Sequence, residues 1–131
     1  MKTPSRKSVH KPEGLILRET LLAVSALKMP DGRRACLAYR QQVGTFAAVN
    51  QPSRYVKVGI EGQSDIGLIL CGGRAGQLEI KTASGRVGEA QGRWGKVVED
   101  MGALFLVCRS VEDAVRGVCM ALDIPVPKGS E

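Results

Sequence analysis

Aromatic residues are scarce: one Trp, two Tyr and two Phe, 4% of a 131-residue chain. Stacking of unpaired bases on rows of aromatic rings is therefore not a prominent theme. There is one histidine, His10, in a segment expected to be a tail. Serine and cysteine nucleophile schemes thus lack a histidine partner in the folded part. The four cysteines, at 36, 71, 108 and 119, form no C-x-x-C pair, and each lies in an apolar run. They read as small buried hydrophobes in a reducing compartment rather than as zinc ligands or disulfides. No apolar span of 18 residues and no secretory core occurs, so a soluble, cytoplasmic protein without a membrane partner is expected.

Acid is also missing from two stretches. Residues 1–12 carry Lys2, Arg6, Lys7 and Lys11, and residues 32–60 carry Arg33, Arg34, Arg40, Arg54 and Lys57, with no Asp or Glu in either. The net charge is +6. A basic balance of this kind suits an anionic partner, with nucleic acid first, and the second run is the expected DNA-binding surface. An apolar share of 44% and a charged share of 24% are ordinary for a globular chain. We expect a basic flexible tail over 1–12, one domain over 13–124 and a short tail over 125–131.

Residues 13–29 read as a helix with a broad apolar surface, ended by Met29-Pro30-Asp31-Gly32. Short strands are expected at 35–40, 46–49 and 55–58, the last two flanking a hairpin loop at 50–53. Residues 66–71 are nearly all apolar, as a central strand requires, and turn at 72–76 into a strand at 77–82. This glycine-rich turn lacks the G-x-x-x-x-G-K-[ST] form and joins two strands, so no organic cofactor is expected there. In 89–101, Ala90, Trp94, Val97, Val98 and Met101 share one helical face. Gly92 and Gly95 within it imply close approach by something else. Residues 103–108 read as a buried strand, and Ser110-Val111-Glu112-Asp113 resembles a capping box that opens the last helix.

The chemistry concentrates at Asp65-Ile66 and, thirteen residues after Asp65, at Leu78-Glu79-Ile80-Lys81. Period-two alternation puts Glu79 and Lys81 on one strand face and Leu78 and Ile80 on the other. Two carboxylates and a lysine on adjacent strands can bind a divalent cation and activate water. Glu19 has only apolar neighbours three and four residues away, and a buried carboxylate there needs compensation that a metal would supply. Glu13 is the fallback, although its first-turn position also suits the helix dipole. Gln91, in the first turn of the next helix, can reach back over the strand ends.

This arrangement resembles the PD-(D/E)xK nuclease superfamily, and within it the VRR-NUC family of small phage and bacterial nucleases. The matching segments are Glu61-Gly62-Gln63-Ser64-Asp65-Ile66, Gly73-Arg74, Leu78-Glu79-Ile80-Lys81-Thr82, Ser84-Gly85-Arg86-Val87 through Gln91, and Arg109-Ser110-Val111-Glu112-Asp113. Tyr39-Arg40-Gln41-Gln42 is similar to an aromatic-Arg-Asn-Asn segment, with glutamine in place of both asparagines. The resemblance implies an α/β restriction-endonuclease-like core, a central mixed sheet flanked by helices in the order α-β-β-β-α-β-α. It also implies hydrolysis of DNA phosphodiesters with Mg²⁺ or Mn²⁺ held by Asp65, Glu79 and Glu19, and with Lys81 and Gln91 completing the catalytic set. A homodimer, acting on branched or junction DNA, is the expected assembly. The main rival is a DNA-binding module that keeps the fold without catalysis.

Overall fold

A computed structural model describes residues 11–129. The expected tail over 1–12 falls mostly outside the described residues. The chain runs α1 (Glu13–Ser25), β1 (Cys36–Arg40), β2 (Gly44–Ala47), β3 (Tyr55–Val58), β4 (Ile66–Leu70), β5 (Ala75–Ile80), α2 (Glu89–Asp100), β6 (Leu104–Cys108) and α3 (Val111–Leu122). Four strands form a mixed sheet in the order β1-β4-β5-β6, with β5 and β6 parallel and the other pairs antiparallel. With β2 and β3 set aside, the order is α-β-β-β-α-β-α. The two remaining strands pair with each other as a separate hairpin.

One sheet face packs against α1 and α3. Ile66, Leu68, Leu70, Leu78, Ile80 and Cys108 meet Ile16, Val24 and Leu27 of the α1 region and Ala114, Val115, Val118 and Cys119 of α3. Helix α2 covers part of the other face, over β5 and β6. Gly95 permits this contact, because a Cβ there would run into the ring of Phe105. Gly92 has open space around it, so the close approach expected of both glycines holds only for Gly95. Three cysteines, at 36, 108 and 119, are buried, and burial raises the Cys108 thiol to about 12.

Helix α3 opens as its sequence suggests, with a variation. The Ser110 hydroxyl accepts a hydrogen bond from the Asp113 amide (3.1 Å), while the Asp113 carboxylate accepts from the amide of Arg109 (2.9 Å), one residue before the cap. Asp123 turns the chain at φ 53°, after which Ile124 and, within the expected tail, Val126 pack against the core. No described helix is long and apolar enough to cross a membrane.

Candidate active site

The site grows from strand register. In the antiparallel ladder of β4 and β5, Ile66 pairs with Leu78. One step further brings Asp65 opposite Glu79. Asp65 is anchored there, its Oδ2 accepting a hydrogen bond from the Ile80 amide at 2.8 Å. Lys81 lies just past β5 but stays on the sheet, its amide bonded to the Cys108 carbonyl at 2.9 Å. Its Nζ is 3.9 Å from Glu79 Oε1, so both side chains share the face that alternation assigned them.

Gln91 completes the group. Its Oε1 accepts from the Gly88 amide at the start of α2 (2.8 Å), which leaves its amide nitrogen to donate to Glu79 Oε1 (2.8 Å). The turn before Asp65 is fitted to this helix start. Gly62 has φ +84°, and a Cβ there would collide with the Ala90 carbonyl. That close approach brings the 61–65 loop beside Gln91. On the far side, Arg109 donates to the carbonyls of Thr82 (2.8 Å) and Gly85 (2.5 Å), tying down the loop after Lys81.

Glu79 is the most unusual group. It is 1% exposed, and its Oε2 has no hydrogen-bond partner. Burial raises its pKa first, the negative charge of Asp65 second; Lys81 opposes and a smaller push comes from Glu13, and the result is about 8. Two facing carboxyl groups with only one nearby lysine are short of positive charge, and without a cation the pair keeps a proton on Glu79 that Asp65 can accept in a hydrogen bond. Oxygen ligands of this kind suit Mg²⁺ or Mn²⁺, so the residues present fit a hard divalent cation. Among the described residues, no three His, Cys, Asp or Glu side chains already converge as a ligand set.

Glu19 does not join the pair. It is partly exposed and bonded to Lys11 at 3.0 Å. The inner face of α1 carries Ile16, Thr20 and Val24. Glu13, three residues before Ile16, is exposed, and its charge adds a minor upward push on the Glu79 pKa.

The basic run is likewise divided. Arg40 pairs with Ile66, at the end of β1 near Asp65. Arg33 and Arg34 precede the opposite end of β1, about 20 Å away at strand rise. Arg33 is also bound to Asp31 at 2.7 Å, and Arg34 sits in a bridge with Lys28. Arg54 and Lys57 belong to the separate hairpin. A glutamine cluster lies beside the site: Gln41 donates to Gln77 (2.7 Å) and to the Ser64 carbonyl (3.0 Å), Gln63 donates to Gln41 (2.8 Å), and the Trp94 indole donates to Gln77 (3.3 Å). The unusual run Arg40-Gln41-Gln42 was its only sequence signal.

Comparison with protein-family models, curated proteins and solved structures gives no match to this chain.

Proposed function

We propose that the chain is a metal-dependent DNA endonuclease of the VRR-NUC type that hydrolyses phosphodiester bonds. The observation that carries this reading is the buried Glu79 carboxyl, facing Asp65 and beside Lys81. A cost of that size in a core position is typical of a functional site rather than a structural one. Asp65 and Glu79 would hold Mg²⁺ or Mn²⁺, while Glu19 is bound to Lys11. The bound cation would supply Lewis-acid activation of water and charge neutralisation at the phosphate.

The side chains have distinct tasks. Ile80 and Gln91 fix the two carboxylates in position. Lys81 offers its ammonium to the negative charge that grows on the scissile phosphate. Arg40, Arg54 and Lys57 hold the flanking backbone. Half of the sheet face beside α2 stays bare at Leu37, Tyr39 and Ile69, which supports a second copy of the chain there. Light scattering tests that assembly.

The decisive assay is cleavage of plasmid and of labelled branched DNA with Mg²⁺, Mn²⁺ or EDTA. Cutting should require metal and vanish in Asp65→Asn. Salt-sensitive binding with no cutting under any metal would replace this reading with the non-catalytic DNA-binding module.

A further inference from the structure

Between the β2–β3 hairpin and the main sheet lies a cleft of about 440 Å³. Arg40, Gln42, Phe46, Gln63, Asp65 and Gln91 line it. Asp65 belongs to the catalytic pair and Gln91 holds Glu79, so the cleft floor opens directly onto the site. We propose that this cleft receives one unpaired nucleotide adjacent to the phosphodiester that is cut. The proposal rests on the nuclease reading and names its substrate class: DNA with a single-stranded nucleotide at the cleavage point.

Size and chemistry both favour one nucleotide. The volume falls within the roughly 300–1,000 Å³ of small-molecule sites. A base stacked inside a duplex cannot enter a recess of this size without leaving its partner. The lining offers each kind of contact that a free nucleotide needs. The Phe46 ring, 46% exposed, presents a stacking face. Arg40 has no ion pair among the described residues and suits a phosphate. The Gln42 side chain has no hydrogen bond among the described residues and suits a base edge. By contrast, Gln63 is committed at both ends, accepting from the Ile60 amide and donating to Gln41. One wall is thus rigid and the other carries free groups. A lone ring is enough for one base, so the scarcity of aromatics excludes a stacking row but not this cleft.

The test uses DNA carrying 2-aminopurine at successive positions of a single-stranded stretch beside a duplex. With wild-type protein in EDTA, one unpaired position near the junction should change fluorescence on binding, and the same position within a full duplex should not. In Mg²⁺, the single-turnover cleavage ratio of unpaired to duplex substrate should fall about tenfold or more in Phe46→Ala, and also in Gln42→Ala. Thermal melting checks that both variants stay folded. Cleavage with no position-specific fluorescence change, or an unaltered ratio in both variants, overturns the cleft and leaves the nuclease reading standing. A fluorescence change that Phe46→Ala abolishes, in a protein that cuts nothing, upholds the cleft and removes the nuclease. Failure to bind any DNA removes both.

Discussion

Strand β5 and the β2–β3 hairpin invert each other. In β5 every residue from Gly76 to Ile80 is buried, and one of them is an ionisable carboxylate. In the hairpin no strand residue is buried, and Phe46, Tyr55, Val56 and Val58 stay in contact with solvent. A buried acid and a row of exposed apolar side chains are each costly or unexplained in a chain that only has to fold. Phe46 of the hairpin lines the cleft directly, and Glu79 of β5 reaches it through Gln91, which lines it too. Both departures therefore fall where function is proposed, and neither falls in the well-filled layer between the sheet and α1 and α3.

The contrast can be broken first at Lys81. Lys81→Ala should lower single-turnover cleavage about 10²–10³-fold, the usual result of removing one charge stabiliser from a reaction centre. Lys81→Arg should restore little, because a planar fork replaces a compact ammonium. Near-normal rates in both variants would reduce the Lys81–Glu79 contact to a structural pair.

A second test asks whether the burial of Glu79 is a cost. Its pKa in the fold is about 8, above the ordinary 4.5. Folding thus favours the protonated acid. That stabilisation is complete below about pH 4.5 and is lost as pH rises through 8. Metal-free Glu79→Gln should then be more stable than wild type at about pH 9, by on the order of a few kcal/mol, and equal to it near pH 4. Saturating Mg²⁺ should reverse the order at high pH. Melting curves at the two pH values, with and without Mg²⁺, measure this. No pH dependence in the difference would mean that Glu79 is not desolvated as described.

Gly62→Ala should cost about 1–3 kcal/mol of strain, because it places a side chain at φ +84° against α2. It should also slow cleavage by displacing Asp65 from Gln91. Urea melts and rates together check this; a variant with full stability would show that the loop packs less tightly on Ala90.

Smaller effects separate the two α1 acids. Glu19→Gln removes an exposed pair with Lys11 and should change stability by under about 1 kcal/mol, with no effect on the titration of Glu79. Glu13→Gln should move that titration slightly downward, which carboxyl NMR can follow. Smallest of all, Val56→Thr on the hairpin should stay within about 0.5 kcal/mol of wild type, since nothing is buried there. A larger loss would show that the hairpin is packed after all.

Much of this was legible in the sequence. Alternation and turn residues located the β4–β5 hairpin, but the register that sets Asp65 opposite Glu79 comes from β5 starting at Ala75, inside the expected 72–76 turn. The apolar period found α2 and α3, and Ser110 marked a helix start. Other features were not legible. Nothing in residues 32–60 indicates that Arg33 is bound to Asp31, or that Arg33 and Arg34 lie at the other end of β1 from Arg40. Apolar residues surround Glu19 in sequence, but the packed stripe of α1 runs through Ile16, Thr20 and Val24 and leaves Glu19 paired with Lys11.

By itself, then, the sequence determined the elements, their order and the Asp65, Glu79 and Lys81 grouping. These depend on period, turn chemistry and pairing between neighbouring strands, which are short-range. Only the tertiary structure decided that Glu79 is buried beside Asp65, that Glu19 is paired with Lys11, and that Phe46 of the separate hairpin shares a cleft with Asp65 and Gln91. Those outcomes depend on which element covers which face. Burial and electrostatics are properties of that covering, set by residues far apart in the chain.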